Sequence, residues 1–351
     1  MSKLDAHGGW PSVLQKIVAG DDLSQQQASD AMADILAGDT TAAQIAGFLV
    51  ALSGKGESIS EMTGMVGAMM EAAEPLDAPP NTIDIVGTGG AAFRRRHALN
   101  VSTMASLVAA AAGVTVCKHG NLKATSTSGS FDFIGALGVN YDMDSATLSQ
   151  CLDEVGVGFV FARAFHPAMR HAAPVRAQLG IPTVFNILGP LANPAKLRHQ
   201  VVGVASVEVG LKMAHVLRNQ GSRRAWVVVG DGGLDELTST GPSVVFDVTP
   251  DGVARTEVKP TDAGLSGAGQ HNDLAGGSPM DNVAIFNSML EGSERGPRYE
   301  MVLLNAAAGL VVGGVVENLD TGVERAAEAV DSGAVAKKVA ELVGFSQRDR
   351  S

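Results

Sequence analysis

The sequence predicts an α/β fold with a small helical N-terminal domain and a larger domain whose mainly parallel sheet is flanked by helices. Residues 11–74 carry apolar side chains at spacings of three and four, the period of amphipathic helices. From Ile83 onward, short β-rich runs alternate with helical ones, as in parallel sheets covered by helices. The proline-rich segment 75–81 separates the two patterns. We therefore expect a small α-helical domain at 1–78, joined by helices within about 165–190, and an α/β domain at 79–351.

Each element follows from its local pattern. Helices in the first domain are predicted at Val13–Val18, Ala28–Leu36, Ile45–Leu52 and Met62–Ala73. Strands are predicted at Ile83–Val86, Val114–Lys118, Gly158–Phe161, Thr183–Phe185, Val201–Val204, Ala225–Val229 and Val244–Val248. Helices between and after them are predicted at Thr103–Ala112, Ser145–Val155, Pro167–Leu179, Val207–Asn219, Met301–Val312 and Val323–Ala340. Residues 250–280 are polar and glycine-rich, and we expect them to form an excursion over the surface.

The composition limits the class of protein. The 351 residues are 45% hydrophobic and 18% charged, which is typical of a folded globular chain. The net charge of −11 disfavours nucleic acid as the main partner, because phosphate contacts need a basic footprint. Cys117 and Cys151 are too few for a disulfide framework and fit a reducing compartment. No signal-peptide pattern or convincing membrane span occurs, so we expect a cytoplasmic protein with no membrane partner.

The stretch Thr82–Thr103 combines features that suit an anion. A buried strand is followed by glycines, then by the basic run Arg94–His97, then by the polar helix start at Asn100. Glycines allow backbone N–H groups to approach a ligand closely, and a helix N-terminus offers unpaired N–H donors. The stretch favours a site for a phosphorylated small molecule. An ordinary strand–helix connection remains the alternative.

A second polar loop, Lys118–Ser130, follows the next strand. It carries two lysines, a histidine, an asparagine and five hydroxyl groups. Ligands of parallel sheets bind beyond the carboxyl ends of the strands, so both loops are expected to converge on one pocket. A solvated loop with helix-capping serines is the alternative reading.

Two common nucleotide motifs do not account for the glycines. No Gly-Lys-Ser/Thr follows them, so there is no Walker A sequence. Gly87, Gly89 and Ala92 match G-x-G-x-x-G/A, but a basic loop intervenes and residues 104–116 contain no acid. A nicotinamide site is therefore not expected.

Three further segments carry candidate groups. In the segment 165–176, Arg170 or Arg176 could bind a carboxylate bidentately, while its histidines suit acid–base, capping or packing roles equally. The segment 185–194 is a rigid turn sequence with an expected structural role. Asp235 and Glu236 follow a buried strand, where adjacent carboxylates either hold Mg²⁺ or form a turn with a helix-capping acid.

Taken in order, these motifs resemble those of the anthranilate phosphoribosyltransferase family. The order is GTGG, N-x-S-T, KHGN with a Ser/Thr-rich stretch ending in S-G-S, HP-x-x-R, VR, FN-x-LGP-x-x-NP and LDE, and the resemblance covers nearly the whole chain. It implies transfer of a phosphoribosyl group from phosphoribosyl pyrophosphate (PRPP) to anthranilate, with Mg²⁺, in tryptophan biosynthesis. It also implies a small helical domain, a larger α/β domain with the substrates between them, and a homodimer, which we expect to form through the N-terminal helices.

The resemblance assigns roles by matching motif. It implies that substrates contact Gly87, Gly90, Asn100, Ser102, Thr103, Lys118, His119, Gly120, Asn121, Thr125, Ser126, Ser130 and Arg176. Of these, Arg176 contacts anthranilate, Asn121 contacts anthranilate and also belongs to the loop that wraps PRPP, and the others surround PRPP. The implied metal ligands are Ser102, Asp235 and Glu236. No side chain is expected to act as nucleophile or base; Arg176 and Lys118 support the reaction by positioning and electrostatics.

The sequence departs from the family pattern in the glycine loop. Ala91 stands where the family has Asp, the loop is about three residues longer than usual, and Leu122 stands where the family has Arg. We hypothesise that Arg94–Arg96 replace the lost contacts to phosphate groups, since one cation is missing and three are added. An unchanged KM for PRPP after their joint replacement by Ala would contradict this. A longer solvated loop is the alternative.

Other functions stay open at this stage. A pyrimidine nucleoside phosphorylase shares the fold and a related glycine loop, and a phosphoribosyltransferase for another aromatic amine would suit the altered loop. A non-catalytic nucleic-acid-binding paralogue is opposed by the net acidity and by the retained pair Asp235 and Glu236.

Overall fold

The computed structural model describes residues 3–89, 91, 97–123 and 126–348. Its α-helices are α1 Gly9–Val18, α2 Gln25–Ala37, α3 Ala42–Lys55, α4 Ile59–Glu71, α5 Val101–Ala111, α6 Ser130–Ala136, α7 Ser145–Val155, α8 Ala162–Phe165, α9 Ala173–Leu179, α10 Phe185–Leu188, α11 Val207–Asn219, α12 Pro279–Leu290, α13 Pro297–Val312, α14 Leu319–Asp331 and α15 Ala334–Ser346. Its strands are β1 Ile83–Gly87, β2 Val116–Gly120, β3 Val157–Phe161, β4 His199–Gly203, β5 Arg224–Gly230, β6 Ser243–Val248 and β7 Val253–Val258. Within the described ranges, no helix is both long enough and apolar enough to cross a bilayer.

One seven-stranded sheet organises the chain, in the order β3-β2-β1-β4-β5-β6-β7. Strands β3, β2, β1, β4 and β5 are parallel to one another, while β6 and β7 run antiparallel to their neighbours. The mainly parallel α/β fold predicted from the sequence is therefore confirmed. Because β1 and β2 are neighbours, the loops that follow them emerge side by side at one edge of the sheet.

Four predicted elements need correction. The helix predicted at Val323–Ala340 is divided into α14 and α15, because the chain turns at Gly333, which has a left-handed backbone. The strand predicted at Thr183–Phe185 is instead the start of helix α10, because Asn186 Oδ1 accepts a hydrogen bond from the Thr183 N–H and closes a turn. The helix predicted at Pro167–Leu179 is divided into a 3₁₀ turn, Pro167–His171, and α9. Strand β7 lies inside the region expected to be a surface excursion; most of its residues are exposed, so no apolar alternation marks it.

The N-terminal helices begin at side-chain caps. Ser24, Thr41 and Ser58 each cap a helix. In each case a glutamine or glutamate three residues later accepts a hydrogen bond from the backbone N–H of the capping residue. Glu61 is fully buried, yet it is satisfied, since its carboxylate accepts hydrogen bonds from the Leu23 and Ser58 N–H groups and from Lys55. These caps fix where the chain enters α2, α3 and α4.

The sheet separates two hydrophobic layers. Val201 faces a layer that contains α5, α7 and α13, whereas Val202 faces a layer shared with α1 to α4. Successive strand residues point to opposite faces, so both layers are built from the same buried strands. Helices α9 and α10 pack against α3 and α4, respectively. The N-terminal helices are thus fixed to the segment that follows β3.

Candidate active site

Three of the parallel strands end in a glycine that lies beneath a crossing segment. Gly87, Gly203 and Gly230 are the last residues of β1, β4 and β5. A Cβ atom at Gly203 would lie 1.7 Å from the Asp235 carbonyl oxygen, and one at Gly230 would lie 2.3 Å from that of Glu236. One at Gly87 would lie 2.8 Å from Asp235 Oδ2. Only glycine fits at these strand ends while the acidic segment lies directly above them.

The crossing segment carries the two predicted metal ligands. Asp235 and Glu236 are 1% and 4% exposed, and Asp235 Oδ2 accepts a 2.6 Å hydrogen bond from the Gly89 N–H. Two adjacent carboxylates suit Mg²⁺, which prefers oxygen ligands and often takes the remainder from water and substrate phosphates. Among the described residues there is no group of three or more His, Cys, Asp and Glu side chains that could hold a metal. The donor set therefore fits a magnesium ion that is shared with a phosphate ligand.

Hydrogen bonds join the two polar loops. Ser128 Oγ donates to Asn100 Oδ1 at 2.7 Å, and the Ala98 N–H donates to Thr127 Oγ1 at 3.2 Å. Asn282, on α12, donates a hydrogen bond from its Nδ2 to the Ala98 carbonyl at 2.9 Å. Asn100 is the N-cap residue of α5, but its side chain forms no capping hydrogen bond. The first turn of α5 therefore keeps N–H donors that its cap residue does not use.

Lys118 supplies a buried positive charge between the loops. Its side chain is enclosed, at 2% exposure, and Nζ donates to the Ile85 carbonyl at 2.6 Å and to Ser102 Oγ at 3.2 Å. A buried ammonium group needs such partners. The charge is therefore held in place beside the first turn of α5.

Asp84 connects β1 with β2 and with a distant turn. Its carboxylate is completely buried and accepts hydrogen bonds from the His119 N–H at 3.2 Å and from Asn193 Nδ2 at 2.9 Å. Burial raises the pKa of Asp84 to about 6, although nearby Lys118 opposes this shift. Asn193 Nδ2 also donates to the Cys117 carbonyl at 2.9 Å. The turn sequence around Asn193 thus helps to fix the end of β2.

His119 is a buried neutral imidazole. Burial and the neighbouring His166 lower the pKa of His119 to about 3, and the centres of the two rings lie 5.2 Å apart. Its Nε2 is buried and has no hydrogen-bond partner in the described parts of the chain. Burial also lowers the pKa of His166, whose Nε2 lies 2.9 Å from the Ala192 carbonyl. Neither imidazole carries the charge expected of a general acid at neutral pH.

A cavity of about 250 Å³ opens between the two loops; we call it the glycine-loop cavity. Its lining comprises Val86, Gly87, Thr88, Gly89, Asn100, Ser102, Thr103, Lys118, His119, Gly120, Asn121, Leu122, Lys123, Ser126, Ser128, Gly129, Ser130 and Asn186. Hydroxyl groups, amides, backbone N–H groups and lysines dominate this surface, and all of them can bind phosphate or sugar oxygens.

A second cavity of about 450 Å³ adjoins the first; we call it the arginine cavity. Its lining comprises Met69, Val86, Gly87, Thr88, His119, Gly120, Asn121, Ala162, Arg163, His166, Met169, Ala173, Arg176, Phe185, Asn186, Gly189 and Pro190. The guanidinium of Arg176 lies 5.0 Å from the centre of the Phe185 ring, and burial lowers the pKa of Arg176. An apolar cavity with a half-buried arginine suits a flat apolar acid.

The structure brings the described predicted residues together. The glycine-loop cavity is lined by Gly87, Asn100, Ser102, Thr103, Lys118, His119, Gly120, Asn121, Ser126 and Ser130. Arg176 lines the arginine cavity. Asp235 is hydrogen-bonded to the Gly89 N–H, and Glu236 follows it in the chain. Gly90, Thr125 and Arg94–Arg96 lie outside the described residues. Of the two arginines considered for a carboxylate, Arg176 lines a cavity and Arg170 does not.

Sequence reasoning missed several lining residues. Arg163 lies in α8, the short helix that directly follows β3, where the rule for the carboxyl ends of parallel strands could have found it. Thr88 lies inside the glycine stretch that the sequence did single out. Asn186 lines both cavities, but it stands in the segment read as a purely structural turn, and no local signal marks it.

Comparison with known proteins agrees with this geometry. Residues 79–336 match the family model described as "Glycosyl transferase family, a/b domain", and residues 11–73 match "Glycosyl transferase family, helical bundle domain". Anthranilate phosphoribosyltransferase of Parvibaculum lavamentivorans is 46% identical over 332 residues, covering 95% of this chain and 96% of the relative. The enzyme of the same name from Chloroflexus aurantiacus is 46% identical over 335 residues, covering 95% and 98%.

Solved structures give the same result. The crystal structure of anthranilate phosphoribosyltransferase from Thermus thermophilus superposes with a TM-score of 0.89 at 41% identity, covering 95% of this chain and 99% of that one. The Saccharomyces cerevisiae enzyme in complex with PRPP and Mg superposes with a TM-score of 0.87 at 28% identity, covering 97% and 98%. Another structure of the yeast enzyme contains 4-fluoroanthranilate.

Proposed function

This chain belongs to the glycosyl transferase family of the anthranilate phosphoribosyltransferases, and from that premise we propose its reaction in detail. The enzyme transfers the phosphoribosyl group of PRPP to anthranilate and releases N-(5-phosphoribosyl)anthranilate and pyrophosphate, a step of tryptophan biosynthesis. One observation carries the proposal: the polar glycine-loop cavity and the arginine cavity share a wall that includes Gly87, Thr88, Gly120 and Asn121. Two different substrates can therefore lie next to each other across that wall.

The glycine-loop cavity is assigned to PRPP. Ser102, Thr103 and the first turn of α5 offer hydroxyl and N–H donors to phosphate, and Lys118 offers a fixed charge. Asn100, His119, Gly120, Asn121, Ser126 and Ser130 complete the described part of the assigned site. The relative solved with PRPP and Mg supports this assignment, since it has the same fold.

Asp235 and Glu236, with Ser102, would hold Mg²⁺. When bound, the metal supplies positive charge that stabilises the departing pyrophosphate. Asp235 is oriented by the Gly89 N–H, so one of its oxygens is held in place by the glycine turn itself. The glycine ends of the three strands position this acidic segment through the backbone.

The arginine cavity is assigned to anthranilate. Arg176 pairs with the carboxylate of the acid, and the Phe185 ring limits where the guanidinium can lie. The aromatic amine is neutral at pH 7 and attacks the ribose carbon without a strong base. This agrees with the lowered pKa values of His119 and His166, which keep both imidazoles uncharged. Positioning and electrostatics supply the catalysis.

A direct assay tests the reaction. Protein, Mg²⁺, PRPP and anthranilate are mixed, and the loss of anthranilate fluorescence is followed. We expect turnover that requires all three small molecules. Absence of turnover, with phosphorolysis of uridine or thymidine instead, would establish a nucleoside phosphorylase. Turnover only with another aromatic amine would mean that this amine, and not anthranilate, is the acceptor.

The finer organisation is also part of the proposal. We assign residues 1–78, with helices from about 165–190, to a small domain and 79–351 to the α/β domain. The packing of α9 on α3 and of α10 on α4 supports this division. Limited proteolysis within 75–81 should release two fragments that remain associated; rapid loss of both would contradict it.

A homodimer through the N-terminal helices completes the assembly. Val18 at the end of α1 is 77% exposed, and Val50 on α3 is 45% exposed. Apolar residues left in water on neighbouring helices suit a partner surface. Sedimentation should show a dimer that Val50→Glu weakens.

The free, buried cysteines Cys117 and Cys151 support a cytoplasmic location, which cell fractionation would test.

A further inference from the structure

A third cavity lies at the opposite edge of the sheet from the proposed active site. It has a volume of about 210 Å³, and its lining comprises Gly67 and Met70 of α4 together with Leu191, Asn193, Lys196, Leu197, Arg198, Gln200, Gln220 and Ser222. We call it the basal cavity. It lies where β4 and β5 begin, whereas the glycine-loop cavity lies where β1 and β2 end. None of its lining residues belongs to the glycine-loop cavity or the arginine cavity.

The basal cavity is cationic. Lys196 and Arg198 line it, and its described lining contains no Asp or Glu. In a chain with a net charge of −11, an acid-free wall with two cations is a local exception. Arg198 Nη1 is fixed by the Gln220 and Gly221 carbonyls at 3.0 and 2.7 Å. Lys196 forms no ion pair with any described residue, and its backbone holds a left-handed conformation with φ of 49°.

Two enclosed polar side chains in the same wall also have unused hydrogen-bonding capacity. Ser222 is 3% exposed, and its hydroxyl has no partner in the described ranges. Gln200 is 4% exposed; its Nε2 makes one long hydrogen bond of 3.4 Å to the Pro190 carbonyl, and its Oε1 makes none with described residues. Neither oxygen is among the buried side-chain atoms that lack a partner, so both reach the space of the cavity and are open to a ligand there.

We propose that the basal cavity is a second binding site, for a small anion with a carboxylate or phosphate group. The anion meets Lys196 and Arg198, the Ser222 hydroxyl donates to it, and Gln200 Oε1 accepts from a hydroxyl or N–H group of the same ligand. Because Gly67 and Met70 come from α4, the ligand bridges the N-terminal helices and the sheet. This inference does not depend on the reaction proposed above.

Gly67 offers a way to close the cavity without disturbing its walls. It lies within helix α4, and a Cβ atom there would meet nothing within 4 Å. Gly67→Leu therefore places a side chain in open space and fills part of the cavity. Gly67→Ala is the matched control, since it makes the same backbone change with little volume. Lys196→Asn removes the charge with a residue that tolerates a left-handed backbone.

The experiment is isothermal titration of the full-length protein with inorganic phosphate and, separately, with L-malate. We expect at least one of them to bind the wild type, with affinity about tenfold lower or worse in Gly67→Leu and about two- to fivefold lower in Lys196→Asn. Gly67→Ala should bind as the wild type does. Comparing phosphate with malate shows which anion chemistry the site accepts.

The same variants exclude trivial causes. Gly67→Leu should melt at or above the wild-type temperature, because leucine favours a helix more than glycine does, and it should keep its turnover of PRPP and anthranilate. Loss of anion binding is then confined to the basal cavity. Binding of both anions with equal affinity and equal stoichiometry in wild type and Gly67→Leu would overturn the proposal, since any binding in the glycine-loop cavity is common to the two proteins. Crystals soaked in either anion that show only water between Lys196 and Ser222 would overturn it as well.

Discussion

The glycine-loop cavity and the arginine cavity share a wall but are built in different ways. The first is shaped by backbone and short hydroxyl side chains, with loops joined by contacts such as Ser128 to Asn100. The second is shaped by large side chains on short helical turns, such as Arg176 over Phe185. The contrast implies opposite sensitivities. Added atoms should damage the glycine-loop cavity, whereas removed atoms should damage the arginine cavity.

The largest effect should come from Gly203→Ala. Its Cβ would lie 1.7 Å from the Asp235 carbonyl oxygen, so the acidic segment must move. We expect kcat/KM for PRPP to fall by ~100-fold or more, with a higher Mg²⁺ requirement. Steady-state kinetics over a range of Mg²⁺ measures this.

Gly189→Ala is the matched control for that change. Gly189 lines the arginine cavity, and a Cβ there would meet nothing within 4 Å. Its kcat/KM should stay within about threefold of the wild type. Equal losses in the two variants would remove the contrast between the cavities.

Arg176→Met should give the next largest effect. The variant keeps much of the side-chain volume but loses the charge that meets the carboxylate, so KM for anthranilate should rise about 30-fold. KM for PRPP should hardly change. Arg170→Met is the control, because Arg170 is exposed and lines neither cavity. A rise in KM for PRPP alone would show that Arg176 contacts PRPP and not anthranilate.

His119 predicts a pH dependence of stability. Its pKa is about 3 in the folded protein and 6.5 ordinarily, so below pH 6.5 the unfolded chain binds a proton that the folded protein does not. Stability from this group is present above pH 6.5 and is lost as the pH falls. Between pH 6.5 and 5, the wild type should lose about 1.5 kcal/mol relative to His119→Gln.

Chemical denaturation of both proteins at several pH values measures that difference. Asp84 has the opposite sign, since its raised pKa of about 6 favours the folded state as the pH falls, but it is present in both proteins and cancels. A constant difference across the range would mean that the pKa of His119 is the same in the folded and the unfolded protein.

The smallest effect should come from Ser128→Ala. It removes the 2.7 Å hydrogen bond to Asn100 Oδ1 and leaves a buried acceptor unpaired, a loss of about 1 kcal/mol. KM for PRPP should rise about fivefold, while KM for anthranilate stays constant. Thr127→Val, which removes the longer 3.2 Å contact with the Ala98 N–H, should do less. The reverse order would show that the second contact dominates.

The sequence predicted the glycine-loop cavity better than the arginine cavity for a physical reason. Gly87, Asn100 and Lys118 lie in contiguous polar segments at strand ends, and topology alone brings them together. The arginine cavity takes its walls from Phe185 and Asn186, where β-branched and aromatic neighbours suggested a strand. The segment forms a turn instead, because Asn186 Oδ1 accepts a hydrogen bond from the Thr183 N–H.

Long-range contacts left no local signal in the sequence. Asp84 and Asn193 are 109 positions apart, yet their hydrogen bond fixes the end of β2. Gly203 looks like any strand residue until the acidic segment is seen to cross it. Such pairs depend on the completed fold, so periodicity and propensity do not contain them.

The wall shared by the two cavities has a consequence for ligand design. Gly87, Thr88, Gly120 and Asn121 line both spaces, so two fragments bound on either side lie close enough to be linked covalently. A short linker raises the effective concentration of the second fragment to the millimolar range or above. A bisubstrate molecule with an anionic group on one side and an aromatic acid on the other should therefore bind far more tightly than either fragment.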